Sequence, residues 1–244
     1  MPRFFVNKSS IDENKIIIDG VDAHHIARSL RMAEGDEVTV CDGEGEEYLC
    51  TLSRIRDEEC ECKVIEKLES GAESPVRITL CMAYPKGDKL ETVIQKAVEL
   101  GCDRIIPFES SRCIKRPKAE KAEKQTARLQ RIAEEAAKQC GRAKIPQVLS
   151  PVSFKQMLQF ATESQLALLC YENEDGRSIK KALLDTENKS SISVIVGAEG
   201  GFAPDEAMAA TEAGCLSVTL GNRILRCETA PLYALAAISY ELEL

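Results

Sequence analysis

The residues that could do chemistry crowd two glycine-bearing stretches in the last third of the chain. The first is Ser191–Pro204, SISVIVGAEGGFAP, where an apolar run meets Gly197-Ala198-Glu199-Gly200-Gly201 and a helix is expected to open near Asp205. Glycines at such a junction let backbone N–H groups approach a ligand closely and supply positive φ where needed. The spacing is neither the dinucleotide fingerprint G-x-G-x-x-G nor a phosphate loop ending in G-K-[ST], so NAD and nucleoside triphosphates are disfavoured. Glycine turns after strands are also common without any ligand. The second stretch is Thr219–Tyr233, TLGNRILRCETAPLY, in which Gly221 is followed by Arg223, Arg226 and then Glu228-Thr229 at an expected helix start. Glu228 and Thr229 read equally as capping residues. Arg223 and Arg226 flank Ile224 and Leu225, a poor setting for mere surface charge.

Other chemistries are less well supplied. Eleven cysteines in 244 residues would suggest a disulfide framework in a short secreted chain, but this chain is long and shows no export signal. The only close pair, Cys60-x-Cys62, has no matching second pair, and His24 and His25 are remote in sequence, so no metal site is expected. The cysteines read as reduced, small apolar residues of a cytoplasmic protein. No apolar run approaches the ~18 residues of a membrane span, and the N-terminus lacks the pattern of a signal peptide.

Charge is unevenly spread. The chain carries net −8, which taken whole argues against a nucleic-acid partner. Residues 1–70 hold 9 basic and 17 acidic side chains, whereas residues 112–144 hold 11 basic and 4 acidic ones. A dense basic stretch in an acidic protein suits a polyanion, although a solvated helix face has the same composition. Arg112–Lys118 (RCIKRPK) precedes the expected helix, which favours a loop contacting phosphates. Tyr84 and Phe108 are too few for a stacking platform.

The elements that must position these groups fall into two kinds. Residues 1–70 alternate over Lys15–Ile18, Glu37–Cys41, Glu47–Leu52 and Glu61–Ile65, with Asp42-Gly43 as a hairpin signal and one helix, His24–Met32, facing inward through Ile26, Leu30 and Ala27. That pattern predicts a small barrel or sandwich, closed by the linker Gly71–Pro75. From Val76 on, continuous apolar runs alternate with helical periodicity. Arg77–Ala83, Asp103–Phe108, Leu166–Leu169, Ser193–Val196 and Ser217–Leu220 are expected strands. Helices are expected over Leu90–Val98 after an Asp88/Glu91 cap, over Ala119–Cys140 burying Leu129, Ile132, Ala136 and Cys140, and over Asp205–Ala213 and Thr229–Glu241. Alternation of this kind predicts an α/β layer on a mainly parallel sheet.

Val196-Gly-Ala-Glu-Gly-Gly-Phe202, followed by Leu220-Gly-Asn-Arg-Ile-Leu-Arg-Cys-Glu-Thr-Ala230, resembles the paired signatures of the SPOUT class of RNA methyltransferases. More narrowly, the chain is similar to the ribosomal small-subunit methyltransferase E family, the 16S rRNA (uracil-1498-N3)-methyltransferases. Arg3-Phe-Phe-Val6, His25-Ile-x-x-x-Leu-Arg-Met32, Gly35-Asp36, Lys86-Gly-Asp-Lys89, Gln95-Lys-Ala-Val-Glu-Leu-Gly101 and Glu135-Ala-Ala-x-Gln-x-x-Arg142 extend the resemblance over nearly the whole length. Ala198 stands where that family usually has proline, and Cys113 and Cys227 where serine and threonine are more familiar.

The resemblance implies an N-terminal PUA-like β-barrel (1–72), a C-terminal α/β domain with a deep trefoil knot (73–244), a homodimer and S-adenosylmethionine as cofactor. It places the cofactor on Leu169, Cys170, Gly197, Glu199, Gly200, Gly201, Leu220, Gly221, Ile224, Leu225 and Thr229. Methylation at N3 of uracil needs a deprotonated or anion-stabilised nitrogen, a task for Arg226 with Glu228 or Glu199 orienting it or accepting the proton. RNA contacts are expected at Arg3, Arg31, Lys86, Arg116, Lys118, Arg128 and Arg142. A transferase for a different RNA base, or a non-catalytic RNA-binding assembly factor on the same fold, would share most of these features; an oxidoreductase would lack its fingerprint here.

Overall fold

A computed structural model describes residues 1–69, 71–114 and 119–243, with side chains of the last stretch from 122 onward. The chain divides into two compact units: Met1–Glu73 with Ala137–Ile145, and Ser74–Ala136 with Pro146–Leu244.

The first unit holds strands β1 (Arg3–Phe5), β2 (Lys15–Asp19), helix α1 (Gly20–His24), then β3 (Glu37–Cys41), β4 (Glu47–Ile55) and β5 (Glu59–Leu68). They form a curled sheet in the order β1-β3-β4-β5-β2, with β1 parallel to β3 and the other pairs antiparallel. Period-two alternation turns Ile16, Ile18, Val38, Val40, Cys50, Leu52, Cys60 and Cys62 into one core with Phe4, Ala23 and Ile26. The cysteines thus serve as compact apolar residues, and every cysteine is free. The turn at Asp42-Gly43 is longer than a two-residue hairpin. Asp42 Oδ1 accepts N–H bonds from Glu44, Gly45 and Glu46 at 2.8–3.0 Å. The helix expected from His24 begins instead at Gly20 and continues as a π-helical turn over His25–Leu30, ended by Arg31 at φ 52°. The wider turn carries Leu30 off the inner face, leaving it 41% exposed, while Ala23 and Ile26 stay buried.

Residues 137–145 return to this unit through buried polar contacts. The Arg142 guanidinium donates to Glu73 Oε2 at 2.8 Å, and Glu73 Oε1 accepts the backbone N–H groups of Ala143 and Lys144. Lys138 pairs with Asp22 at 3.0 Å. The barrel therefore includes the last turn of a helix that starts in the other unit.

The second unit contains β6 (Arg77–Ala83), α2 (Lys89–Glu99), β7 (Cys102–Glu109), most of α3 (Ala119–Cys140), β8 (Gln147–Val148), β9 (Val152–Ser153), α4 (Phe154–Ala161), β10 (Leu166–Cys170), α5 (Ile179–Asp185), β11 (Ser191–Val196), α6 (Pro204–Glu212), β12 (Leu216–Val218) and α7 (Thr229–Glu243). The sheet runs β12-β10-β11-β6-β7-β8, all parallel, with β9 also on β7. Every residue of β10 and β11 is buried, as continuous apolar runs in a covered parallel sheet require. α2 buries Leu90, Val93, Ile94, Ala97 and Val98, and Gly101 at φ 83° lets the chain leave it. Asp88 precedes α2 without a side-chain cap bond. α3 buries Leu129, Ala133, Ala136 and Ala137, a stripe offset from the expected one, with Ile132 and Cys140 only partly covered. Among the described residues no helix is long and apolar enough to cross a membrane, and no group of His, Cys, Asp and Glu is placed to hold a metal ion.

Candidate functional site

β12, β10 and β11 lie side by side and point the same way, so the loops leaving their C-terminal ends converge. In open parallel sheets that end is where ligands bind. There the loops enclose a cavity of about 630 Å³, within the range of small-molecule sites. Its wall is made by Cys170–Glu172 after β10, Val196–Gly201 after β11, Thr219–Cys227 after β12, Ala230, and Lys89 from the start of α2.

The glycine turn is shaped by close backbone approach. Gly201 N–H donates to the Ala198 carbonyl at 3.0 Å, closing a tight reversal. A Cβ on Gly197 would lie 3.0 Å from the Gly201 backbone carbon, and one on Gly200 would lie 3.0 Å from Arg112 Cβ. Arg112 also donates to the Gly200 carbonyl at 3.0 Å. Phe202 follows directly and is buried against Phe108 and Phe154, with ring centroids 6.4 Å away in each case. An aromatic anchor one residue past the turn fixes where its N–H groups point. Glu206, at the start of α6, accepts the N–H groups of Ser111 and Ala203 at 2.7 and 3.0 Å, tying the loop after β7 to the exit of the turn.

The loop after β12 is more exposed. Gly221 has φ 107°, and Ile224 is 93% exposed beside the cavity. The Arg226 carbonyl accepts the N–H groups of Thr229 and Ala230, which opens α7. The Arg226 side chain lines the cavity and has no hydrogen-bond or ion-pair partner among the described residues.

Lys89, Glu199 and Glu228 meet in a charged cluster. Lys89 Nζ lies 3.0 Å from Glu199 Oε1 and 3.1 Å from Glu228 Oε2. Burial works to raise the Glu199 carboxyl, but its own backbone N–H, Lys89 and the Lys86 N–H together hold it below the usual carboxylate range. Glu228 is held low chiefly by its own backbone N–H, against some burial and with help from Cys227 and Lys89. The Lys89 ammonium is raised by both carboxylates. Burial and then Glu228 push the Cys227 thiol up to about 12, so it stays protonated and donates to Glu228 Oε2 at 3.3 Å.

Of the residues singled out for the cofactor, Cys170, Gly197, Glu199, Gly200, Gly201, Leu220, Gly221, Ile224 and Leu225 line this one cavity. Leu169 sits a residue back, fully buried in β10, and Thr229 is exposed at the head of α7 without lining the wall. Those singled out for RNA fall in both units. In the first unit Arg31 is exposed, Arg3 pairs with Glu47 at 2.7 Å, and Arg142 is 2% exposed on Glu73. Arg142 therefore braces the barrel and presents no guanidinium to a phosphate, a correction to its expected role. In the second unit Arg128 is exposed and pairs with Glu91, while Lys86 offers its backbone N–H to Glu199. Arg116 and Lys118 lie outside the described residues.

Residue types alone missed Lys89, Glu172 and Glu206, and gave Arg112 to phosphates where it braces the glycine turn. Lys89 did leave a signal: a lysine at the first position of a helix stands where acids are favoured.

Known proteins resemble this chain over its whole length. The model of the RNA methyltransferase domain matches residues 72–239, and that of the RNA methyltransferase PUA domain matches residues 18–65. A Ribosomal RNA small subunit methyltransferase E from Bacillus subtilis (strain 168) is 38% identical over 100% of this chain and 98% of its own length. One from Synechocystis is 33% identical over 99% of this chain and 78% of its own. A crystal structure of a Ribosomal RNA small subunit methyltransferase E from Neisseria gonorrhoeae bound to S-adenosyl methionine superposes with a TM-score of 0.86 at 33% identity, covering 99% of this chain and 98% of that one.

Proposed function

Because this chain belongs to the ribosomal RNA small subunit methyltransferase E family, we propose that it is an S-adenosylmethionine-dependent methyltransferase acting on N3 of a uridine in 16S rRNA, by the resemblance uridine 1498. The observation that carries the reading is the meeting, in one cavity, of the glycine turn after β11 with the guanidinium of Arg226 after β12, which has no partner among the described residues.

The residues fit the cofactor. Gly197, Gly200 and Gly201 expose backbone at the wall, and a Cβ at Gly197 or Gly200 would crowd the turn. Leu220, Ile224, Leu225 and Ala230 supply an apolar side, which suits an adenine held by stacking contacts and backbone hydrogen bonds. S-adenosylmethionine, when bound, supplies an electrophilic methyl group on a sulfonium.

Uracil N3–H is a weak acid, so the chain must favour the anion. Arg226 does this by charge-assisted hydrogen bonds to a uracil oxygen as the N3 proton passes to water. Carboxylates held below their usual range are poor proton acceptors, so Glu199 and Glu228 serve as fixed anions that organise the site. RNA is met by exposed cations: in the second unit Lys124, Arg128 and Arg131, which share one face of α3 by their spacing, and, separately, Arg31 in the first.

Threading of the chain and pairing of two copies complete the reading. β12 borders β10, yet α7 packs on β11 and α2. The trefoil knot rests on the resemblance to the family. Exposed Ile224, Tyr233 and Tyr240 near and along α7 support a homodimer, and the ribosomal substrate supports a cytoplasmic location. The test is nucleoside mass spectrometry of small subunits incubated with methyl-labelled cofactor. N3-methyluridine is expected, strongly reduced with Arg226→Ala at saturating cofactor. Label on another base, or none, would overturn the reading.

A further inference from the structure

The first turn of a helix carries partial positive charge and favours acids. Lys89 opens α2 and so stands against that rule unless something outside the helix holds it. It is held from two other segments: Glu199 in the turn after β11, and Cys227 with Glu228 in the approach to α7. The ammonium reaches Glu199 Oε1 at 3.0 Å, Glu228 Oε2 at 3.1 Å and Cys227 Sγ at 3.7 Å. Each carboxylate has a second donor, the Lys86 N–H at 3.1 Å for Glu199 and the Cys227 thiol at 3.3 Å for Glu228.

Two carboxylates gathered this way repel each other without the cation between them. The same cavity also presents Arg223 and Arg226, whose side chains have no partner among the described residues, and Glu172 on its rim. An anion released beside an unpaired guanidinium pairs with it, and a bidentate arginine–carboxylate pair is among the strongest such bonds. We propose that Lys89 is a positioning residue that ties Glu199 and Glu228 to α2 and so leaves Arg226 unpaired for the substrate. This rests on the reading above that Arg226 meets the uracil. In this reading Lys89 acts through the arginine by occupying its two competitors. It also joins the loops after β11 and β12, so that both reach the cofactor together.

Three full-length variants test this: Lys89→Met, Lys89→Arg, and Lys89→Met combined with Glu228→Gln. The first readouts need neither cofactor nor RNA. Carboxyl-carbon NMR titration is expected to show at least one of Glu199 and Glu228 titrating about one pH unit or more higher in Lys89→Met than in the native protein. The Arg226 Nε–H, read by nitrogen NMR, is expected to exchange more slowly as it gains a carboxylate. In turnover, Lys89→Met should lower kcat by about tenfold, equivalent to one charge-assisted hydrogen bond, with a smaller change in KM for the cofactor. Lys89→Arg should recover most of that loss, and removing the Glu228 charge should raise kcat above the single variant by about threefold or more. Unchanged carboxyl titrations, an unaltered Arg226 signal, or a double variant no better than the single one would each overturn the proposal. Failure of the native protein to bind S-adenosylmethionine would instead overturn the enzymatic reading, and the NMR readouts would still decide whether Lys89 keeps the carboxylates from the arginine.

Discussion

Glu172 fills the space that a side chain on Gly201 would need: a Cβ there would lie 2.0 Å from Glu172 Oε1. The carboxylate is the mobile end of an exposed side chain and can swing away, so Gly201→Ala chiefly meets the left-handed backbone at φ 61°. That strain costs about 1–2 kcal/mol. Gly197 is the reverse case, with an ordinary φ and a Cβ position only 3.0 Å from Gly201 backbone, which cannot move without opening the turn. Gly201→Ala is therefore expected to lower the melting temperature with a modest change in cofactor affinity. Gly197→Ala is expected to weaken S-adenosylmethionine by about tenfold or more, as lost backbone hydrogen bonds would. Calorimetry and thermal melts separate the two, and equal effects on affinity would defeat the distinction.

Glu73 gives the barrel an acid limit. Burial works to raise its carboxyl, but Arg142 and the N–H groups of Lys144 and Ala143 hold it below the ordinary range. A carboxyl lower in the folded state stabilises fully above its unfolded pKa, and the contribution is lost as pH falls through the folded value. Stability should thus decline below about pH 4.5, near the unfolded glutamate pKa. Glu73→Gln should flatten that limb while lowering stability at neutral pH. Glu73→Ala, which takes the carboxylate away from a buried guanidinium, should cost about 3–5 kcal/mol. Urea titrations across pH measure both, and an unchanged acid limb in Glu73→Gln would reject the assignment.

How far the chain could be read in advance depended on how local each signal was. β3 and the inward face of α2 were legible because alternation, or three-and-four spacing, is written within one segment. The glycine turn was legible for the same reason: strand, glycines and helix follow one another directly. α4 and α5, at 8 and 7 residues, were too short for a periodic pattern to stand out. Arg142 was grouped with the RNA contacts because its basic neighbours are adjacent in sequence, whereas Glu73, with which it pairs, is 69 residues away. The Lys89 cluster likewise joins residues 110 and more positions apart, and no spacing rule reaches that far.

The basic segment can be tested on the exposed face of α3. Lys124, Arg128 and Arg131 are exposed on one face of α3, and among the described residues Arg128 pairs with Glu91. A surface pair of this kind contributes about 0–1 kcal/mol, so Arg128→Ala should scarcely move the melting temperature. If the face contacts phosphates, replacing all three cations by alanine should weaken RNA binding and reduce the salt slope by up to about three. Cofactor affinity should not change. Filter binding across a salt series measures the slope, and an unaltered slope would move the RNA elsewhere.

The cysteines yield a prediction about reactivity rather than catalysis. Thiolates react and thiols largely do not, so both exposure and pKa must permit attack. In the barrel, Cys50 and Cys62 are fully buried, and burial first of all pushes their thiols up to about 11 and about 12. Cys170 is likewise raised by burial to about 12 at the cavity wall. Cys140, in the last turn of α3, is the one cysteine that is not buried. Brief alkylation of the native protein followed by peptide mass spectrometry should therefore label Cys140 first, with the others appearing only as the protein is unfolded by urea. Labelling of Cys50 or Cys62 at the rate of Cys140 under native conditions would mean that the barrel opens readily, and that these cysteines do not pack as a closed core.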